Sequence, residues 1–333
     1  MTAKLSVQLV TWNGEKFLPA LFGSLRDQTF SDWRLMIWDN GSTDRTRGVI
    51  AEQKIELKVP VEIDGKENNI GFAAAHQALY ARSDSPYVLI LNQDTVLEND
   101  VFEKLVAYLD EHEETASAAP LLLRLSEGKK TTIIDSLGLG ITRARRIYDR
   151  ESGKDWEVVT NTVRTSPVPV FGVTGAVAVY RRRAVGEELF DASYFSYQED
   201  IDLAWRLCNQ GQAASVLVNA FAYHERGVKA PISGLFGRIK AKLGQPGFVR
   251  VCSYRNHLAT LIKNDFTQNI ILDLPFILWY ELKKFVFNLC FDRAALGALK
   301  TLFKERGRLM AEREKNLKNS GMNWKRVRAW WSN

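Results

Sequence analysis

Carboxylate and amide side chains follow two hydrophobic runs of the chain. Residues 87–91 lead into Asn92, Gln93 and Asp94, and residues 35–38 lead into Asp39 and the polar segment 40–44. An acidic residue at the carboxyl end of a buried strand lies where open α/β sheets bind ligands. One or two carboxylates hold Mg²⁺ or Mn²⁺ when substrate phosphates supply the other ligands. The sequence therefore predicts one crevice with a polar ligand and a divalent cation at Asp94.

A second acidic cluster lies at residues 199–206 (EDIDLAWR). Glu199 and Asp200 fall at a predicted helix start, where the helix dipole favours negative charge, and we expect a low pKa there. Asp202 and Arg206 are spaced to pair along one helix face. Capping explains one of the three carboxylates, so the functional interpretation is a general base in the crevice.

Four other segments are ambiguous on their own. Thr11 and Asn13 close the first hydrophobic run, and Asp39 either binds a nucleoside or belongs to a turn. Asn69 and Gly71 precede small residues that allow close approach of a ligand or simply open a tightly packed helix. His224 follows the last predicted strand and is either structural or a metal ligand.

Several common catalytic motifs are missing from the sequence. It has no GxGxxG after the first strand, no GxxxxGK[ST], no GxSxG and no HExxH. These absences argue against a Rossmann dehydrogenase, a P-loop NTPase, an α/β-hydrolase and a zincin.

Alternating strand and helix patterns position these side chains. Predicted strands at 5–11, 35–38, 61–63 and 87–91 alternate with helices at 15–28, 42–50, 71–82 and 101–111. Further strands are predicted at 177–180 and 215–218, and residues 125–168 look irregular. This order favours a doubly wound, mainly parallel α/β sheet.

Charge divides the chain of 333 residues into two parts. The net charge is +6, yet residues 229–333 hold 20 Lys and Arg against 7 Asp and Glu. We predict a catalytic domain at 1–228 and a basic, aromatic-rich helical region at 229–333. Three separated cysteines and no visible signal peptide favour a reducing, cytoplasmic location.

The basic region carries two candidate membrane elements. Residues 270–287 are aromatic-rich but interrupted by charges, which favours an amphipathic element on a membrane surface over a spanning helix. The alternative is an ordinary buried helix pair. The tail 324–331 (WKRVRAWW) suits an anionic headgroup layer, or else forms a solvated basic helix. No nucleic-acid motif accompanies the charge, so nucleic acid is not an expected partner.

Taken in order, these motifs resemble the family 2 glycosyltransferases with a GT-A fold, especially their bacterial rhamnosyltransferase-like branch. The resemblance covers residues 5–228 and is most specific at 39–44 and 199–203. It implies inverting transfer from a nucleotide-diphosphate sugar, with Asp200 as general base and Glu199 or Asp202 as the other candidates. Asp94 and His224 would be the Mg²⁺ or Mn²⁺ ligands. The implied nucleotide-sugar contacts are Thr11, Asn13, Asp39, Asn69, Gly71, Asn92, Thr174, Gly175, Ala176 and Arg206.

The resemblance also implies the partners. The donor would be dTDP-rhamnose first and a UDP-hexose next, and the acceptor a lipid-linked oligosaccharide or a surface polysaccharide. Residues 229–333 would hold the enzyme peripherally on the inner face of a bacterial plasma membrane. Two alternatives stand beside this interpretation: a sugar nucleotidyltransferase, which needs a Gly- and Arg-rich loop where residues 12–15 stand, and a non-catalytic membrane-tethered carbohydrate-binding module, which needs no Asp94 and Asp200 together.

Overall fold

One mixed sheet of ten strands organises the chain in a computed structural model that describes residues 2–163, 165–225 and 243–332. The strands are β1 (Leu5–Thr11), β2 (Trp33–Asn40), β3 (Val61–Lys66), β4 (Tyr87–Asn92), β5 (Thr95–Leu97), β6 (Thr115–Ser126), β7 (Lys129–Ser136), β8 (Leu139–Thr142), β9 (Ile147–Asp149), β10 (Val168–Val170), β11 (Val177–Arg181), β12 (Ala213–His224) and β13 (Trp331–Ser332). Ten of them form the large sheet in the order β10-β12-β6-β11-β4-β1-β2-β3, with β5 beside β12 and β7 beside β6. The other three form a small sheet in the order β13-β8-β9.

Helices cover both faces of this sheet and continue to the end of the chain. They are α1 (Leu18–Arg26), α2 (Thr46–Gln53), α3 (Phe72–Arg82), α4 (Val101–Glu111), α5 (Trp156–Val159), α6 (Arg182–Val185), α7 (Glu199–Asn209), α8 (Gly247–Asn264), α9 (Thr267–Phe291), α10 (Arg293–Lys318) and α11 (Trp324–Arg328). Single 3-10 turns lie at Lys54–Glu56 and Ala192–Tyr194.

The parallel part of the sheet brings its carboxyl ends to one edge. β3, β2, β1 and β4 are parallel neighbours, and every residue of β1 is buried. Leu9 packs in the core shared by α1 and α4, whereas Val10 faces the core at α3. The register places Thr11 opposite Asp39 and Val10 opposite Asn92. The predicted parallel arrangement is confirmed for these four strands, and their ends converge as expected. The prediction that the whole sheet is mainly parallel is wrong, because among the described residues five of the nine pairings in the large sheet are antiparallel.

The sequence patterns underestimated the antiparallel half of the sheet. The region expected to be irregular contains the long strands β6 and β7, joined by a tight turn at Glu127 and Gly128. β12 extends through His224, because it pairs with β6 along one edge and with β5 along the other. The prediction that His224 follows the last strand is therefore wrong, and this residue ends the strand.

Buried charges connect the C-terminal helix α8 to α7 and to the segment that contains Asp191. The Lys263 ammonium of α8 lies 2.9 Å from an Asp191 oxygen and 3.0 Å from an Asp202 oxygen of α7. Lys263 is 1% exposed and Asp202 is fully buried. Asn264 donates to the other Asp202 oxygen at 2.8 Å. Because this network leaves few groups unpaired, it fixes α8 against α7.

A second buried centre holds α9. Asp273 accepts hydrogen bonds from Arg143 and Arg145 of the β8–β9 turn and from Arg328 of α11. Arg145 is fully buried and also contacts Asp265. Because these arginines come from two separate parts of the chain, the β8–β9 turn and α11, Asp273 fixes the rotation of α9 about its own axis.

The C-terminal tail is docked into the protein. β13 pairs with β8, and the Trp331 ring meets Phe171 and Trp205 at centroid distances of 6.0 and 5.6 Å. Trp331 and Arg328 are therefore engaged in intramolecular contacts, and the expected solvated or headgroup-bound tail does not describe them. The expected domain boundary at residue 228 lies outside the described residues.

Helix α9 has its polar side chains inside and its apolar side chains outside. Its buried residues are Asn269, Asp273 and Asn288. Its exposed large hydrophobic residues are Ile271, Leu272, Leu274, Phe276, Leu278, Trp279, Leu282, Phe285, Val286, Leu289 and Phe291. Among the described residues, no helix has the length and apolarity needed to span a bilayer. The predicted amphipathic element is thus a single 25-residue helix that presents an apolar face to the outside.

Removal of the buried ammonium should strongly destabilise the fold. We expect Lys263→Met to lower the free energy of unfolding by about 3 kcal/mol, because it leaves Asp202 and Asp191 with fewer partners in a dry interior. Chemical denaturation measures this change. Lys315→Met is the matched control, since Lys315 is 61% exposed and only 3.8 Å from Glu188. A control loss as large as that of Lys263→Met would contradict a special role for the buried ammonium, because exposed pairs contribute less than about 1 kcal/mol.

Candidate active site

Two adjoining cavities open at the carboxyl ends of β1 and β4. The first cavity has a volume of about 460 Å³ and is lined by Val10, Thr11, Trp12, Asn40, Asn69, Phe72, Asn92, Gln93, Asp94, Phe195, Ser196, Tyr197 and Phe248. The second cavity, of about 550 Å³, is lined by Phe72, Asn92, Thr174, Gly175, Ala176, Ser196, Tyr197, Glu199, Asp200, His224 and Gln245. Four of these residues belong to both walls, so the two cavities form one crevice.

A histidine in the wall of this crevice bridges two carboxylates. His224 Nε2 lies 3.4 Å from an Asp94 oxygen, and its Nδ1 lies 2.9 Å from an Asp135 oxygen. Burial alone would lower the pKa of His224, but the hydrogen bonds to Asp135 and Asp94 raise it to about 9. Asp135 of β7 was not identified from the sequence. It lies near the end of β7 between the buried residues Ile134 and Ser136, and the hydrophobic pair Ile133–Ile134 before it is the one sequence signal of that strand.

The pair Asp94 and His224 fits a divalent cation. Among the described residues, no group of three or more His, Cys, Asp or Glu side chains forms a complete metal cage. A carboxylate with an imidazole suits Mn²⁺ when phosphate oxygens complete the shell. Asp135 contacts the far nitrogen of the ring, as carboxylates commonly do behind metal-bound histidines. The donor set therefore fits a cation shared with a phosphate ligand, and binding of that cation would displace the proton that Asp94 and Asp135 stabilise on His224.

Asp200 is held by two backbone amides in the wall of the second cavity. The Gly175 N–H donates to one carboxylate oxygen at 3.0 Å, and the Ile201 N–H donates to the other at 2.8 Å. Burial nevertheless raises the pKa of Asp200 above its ordinary value. The expectation of a low pKa from the helix start is therefore wrong, because desolvation outweighs both amides.

Glu199 lies beside Asp200 and is more deeply buried. Burial, followed by the neighbouring Asp200 charge, raises its pKa to about 8. Its Oε2 has no hydrogen-bond partner among the described residues. A protonated Glu199 next to an ionised Asp200 accounts for both observations, since two adjacent carboxylates do not ionise together easily.

The ends of β1 and β2 meet behind the first cavity. Thr11 is buried and lies 3.4 Å from an Asp39 oxygen, while Arg47 donates to the other Asp39 oxygen at 2.5 Å. Thr11 lines the cavity, but Asp39 lies behind it. Trp12 and Gln93 exchange two hydrogen bonds between backbone and side-chain amide, which ties the ends of β1 and β4 together.

Two predicted contacts have structural roles at the rim. The Asn13 side chain accepts from the Thr43 N–H at 2.8 Å and so pins the loop after β2. Gly71 has φ +91°, and a Cβ there would come within 2.5 Å of the Phe195 carbonyl. Asn13 and Gly71 are not part of either cavity lining. Of the two interpretations of Gly71, ligand contact or a tightly packed helix start, the structure therefore supports the packed start of α3.

Asp202 and Arg206 lie away from the crevice. Asp202 is bound by Lys263, Asn264 and Tyr194, and Arg206 donates to Asp202 and to the Leu189 carbonyl. Burial alone would raise the pKa of Asp202, but Lys263 and Arg206 lower it. The structure therefore does not support the expectations of a base at Asp202 and a nucleotide-sugar contact at Arg206, because both are used to hold α7 in place.

Helix α8 contributes to the crevice, which the sequence did not indicate. Phe248 lines the first cavity, and Gln245 just before the helix lines the second. Asn256 is fully buried, and its Nδ2 lies within 2.8–3.0 Å of the carbonyls of Tyr194, Ser196 and Tyr197. The loop 195–198 that it holds contains three non-glycine residues with φ between +59° and +73°. Asn256 thus stabilises a strained loop that lines both cavities.

The two raised carboxyl pKa values predict how stability depends on pH. A carboxyl with a raised folded-state pKa contributes stability that is present below its unfolded value of 4.5 and lost as the pH rises through 8. We therefore expect the Tm of Glu199→Gln to rise relative to the wild-type Tm as the pH increases from 5 to 9. The exposed Glu187 provides the control substitution Glu187→Gln. A constant difference across this range would contradict the assignment.

Comparison with known proteins identifies the fold and the family. The model of Glycosyl transferase family 2 matches residues 6–187. Among solved structures, GalNAc-T7 with UDP, GalNAc and Mn²⁺ has a TM-score of 0.61 at 14% identity, covering 80% of this chain and 49% of that one. Mannosyltransferase PcManGT from Pyrobaculum calidifontis has a TM-score of 0.53 at 13% identity, covering 99% and 85%. These likenesses confirm the mixed α/β, GT-A-like fold.

The curated relatives come from cell-wall polymer synthesis. Poly(ribitol-phosphate) beta-N-acetylglucosaminyltransferase TarS of Staphylococcus aureus is 25% identical over 111 residues, which are 33% of this chain and 19% of TarS. The putative teichuronic acid biosynthesis glycosyltransferase TuaG of Bacillus subtilis is 29% identical over 108 residues, 32% of this chain and 42% of TuaG. The chain thus spans less than half the length of these relatives. The family model covers more than half of the chain, and the chain belongs to glycosyl transferase family 2.

Proposed function

We propose that this protein is an inverting glycosyltransferase that moves a sugar from a nucleotide-diphosphate donor to an acceptor hydroxyl. One observation carries the proposal: Asp200 and His224 line the second cavity, and Asp94, which pairs with His224, lines the adjoining first cavity. A carboxylate base and a phosphate-binding cation site in one crevice are the two groups that such a transfer requires.

Asp200 has the properties of the general base. In-line attack on the anomeric carbon requires removal of the acceptor proton on the face opposite the leaving diphosphate. Two backbone amides fix the Asp200 carboxylate, and its raised pKa brings it nearer to neutral pH, where proton acceptance is more effective. Glu199 supports it by remaining protonated, because a second negative charge in the same wall would be unfavourable.

Asp94 and His224 would hold Mg²⁺ or Mn²⁺. When bound, the cation stabilises the charge that develops on the leaving diphosphate. Asn92 lines both cavities, so it can contact a donor that extends from one cavity into the other. Complexes of GalNAc-T7 and PcManGT with Mn²⁺ support this assignment.

The donor occupies the first cavity with its sugar directed to the second. Thr11 and Asn69 line the nucleoside end, and Thr174, Gly175 and Ala176 line the sugar end. TarS has been solved with UDP-GlcNAc, which favours a UDP-sugar over the dTDP-rhamnose implied by the sequence resemblance. The acceptor is a hydroxyl of a surface polysaccharide or of a lipid-linked oligosaccharide, in line with the polymers named for TarS and TuaG.

The apolar face of α9 is proposed to contact an anionic bilayer surface. Its exposed residues recur at intervals of three and four from Ile271 to Leu289 and form one broad stripe. Lys283 lies 5.4 Å from the exposed Trp279 ring, a combination suited to the headgroup layer. The excess of 13 positive charges in residues 229–333 complements anionic lipid.

The base assignment is tested by Asp200→Asn. We expect this change to lower the rate of nucleotide release from UDP-GlcNAc by about 10²- to 10⁴-fold, because proton transfer is lost while the donor cavity is unchanged. UDP-dependent stabilisation of the variant against heat is the control for donor binding. Release at a rate near that of the wild type would exclude Asp200 as the base.

The cation assignment is tested by nucleotide binding. We expect UDP to raise the Tm of the wild type more with Mn²⁺ than without it, since a ligand that binds only the folded state stabilises it. The additional increase should disappear in Asp94→Asn. The same measurement with dTDP and GDP separates the donor classes. An equal Mn²⁺ effect in the wild type and the variant would place the cation elsewhere.

Membrane contact is tested by flotation with phosphatidylglycerol-containing vesicles. We expect the triple variant Ile271→Ser, Trp279→Ser, Leu282→Ser to float at least fivefold less than the wild type, because it removes exposed apolar area from α9. The matched control replaces by serine three exposed apolar residues that lie outside α9, namely Ile55, Ile63 and Val158. Equal flotation of both triple variants would argue against α9 as the contact.

A further inference from the structure

A third cavity lies between α8 and α9, next to the crevice. Its volume is about 190 Å³, and its wall includes Gln198, Gln245, Ser253, His257, Tyr280 and Asn288. Gln245 also lines the second cavity, and Gln198 directly precedes Glu199. The third cavity is therefore a lateral continuation of the compartment that contains the proposed base.

The charges around the third cavity are balanced within the protein. Arg250 is bound by Asp292 at 2.6 Å, and His257 Nε2 lies 2.6 Å from a Glu281 oxygen. The Lys284 ammonium lies 3.6 Å from Glu281 and about 5 Å from the centre of the Tyr280 ring. Arg250 and Lys284 line the cavity, but Asp292 offsets the first charge and Glu281 the second, while burial lowers the pKa of His257. The wall therefore has little net charge, and a bound anion would gain little from it.

Unpartnered acceptors in and beside this wall point to a ligand with donors. Asn288 is 1% exposed, and its Oδ1 has no hydrogen-bond partner in the described part of the chain. Glu281 pairs with His257, which lines the cavity, and the Glu281 Oε2 likewise has no hydrogen-bond partner in the described part of the chain. Buried acceptors without partners cost free energy, which a hydroxyl group can relieve and a fully ionised phosphate cannot.

The size and polarity of the cavity match one sugar ring. A volume of 190 Å³ corresponds to about six water molecules at roughly 30 Å³ each, enough for a single six-membered ring with its hydroxyls. Amide, hydroxyl and imidazole groups offer both donors and acceptors, and the Tyr254 and Tyr280 rings add apolar surface for C–H groups. This mixture suits a neutral carbohydrate.

We propose that the third cavity is an acceptor subsite for a neutral sugar unit adjacent to the unit that is glycosylated. This inference rests on the proposed transferase function and makes it more specific. The acceptor hydroxyl would lie beside Asp200 in the second cavity, and the neighbouring ring would lie between α8 and α9. The acceptor class is then a chain of at least two linked sugars.

Saturation-transfer NMR on the full chain tests this subsite directly. The probes are the methyl glycosides of glucose, N-acetylglucosamine and rhamnose, with methyl phosphate as the anionic comparison and UDP present throughout. We expect at least one glycoside to receive saturation, and Asn288→Leu and Ser253→Gln each to reduce that transfer at least threefold by filling the cavity from α9 and from α8. The matched control is Gln268→Leu, which replaces an exposed amide of α9.

Each outcome has a defined meaning. The subsite is overturned if no glycoside receives saturation, or if the signal is the same in the wild type and both cavity-filling variants. A methyl phosphate signal that is lost in those variants, in place of a glycoside signal, would make the cavity an anion site and also overturn the proposal. Stabilisation by UDP is measured separately in every variant. If a glycoside receives saturation as expected but UDP does not stabilise the wild type, the donor assignment is wrong and the carbohydrate site is still supported.

Discussion

The buried contact between Lys263 and Asp202 is the interaction on which the crevice depends. It joins α8 to α7 in an interior where a single unpaired charge would be strongly unfavourable. Helix α7 carries Asp200, and α8 carries Phe248 and Asn256, so one ion pair aligns the proposed base with two other parts of its surroundings. The C-terminal helices therefore contribute to the shape of the crevice as well as to the outer surface of the protein.

The sequence was informative where local pattern and function coincide. Thr11, Asn92 and Asp94 line one crevice, as the sequence led us to expect, because parallel strands bring their carboxyl ends together whatever the details of the loops. Asp135 and Gln245 were missed, since they reach the crevice through long-range packing that leaves no local pattern. Asp202 was drawn into the predicted site by its position in an acidic motif; it pairs with Arg206 as the spacing indicated, but its partner Lys263 lies 61 residues away.

Electrostatic reasoning from sequence failed for the same physical reason. The helix dipole at the start of α7 indicated a low carboxyl pKa, but the dipole acts on Asp200 and Glu199 together with desolvation that only the folded chain defines. Burial raises both pKa values, and the neighbouring Asp200 charge raises that of Glu199 further. The consequence is a division of labour in which Glu199 keeps its proton and Asp200 is the group able to accept one.

The clamp formed by Asn256 has a consequence for how the two substrates bind. One amide fixes the loop 195–198, and Ser196 and Tyr197 of that loop line both compartments of the crevice. A ligand that shifts these residues in one compartment changes the shape of the other. For the donor and acceptor proposed above, this shared loop would link the two affinities thermodynamically, and such a linkage is reciprocal.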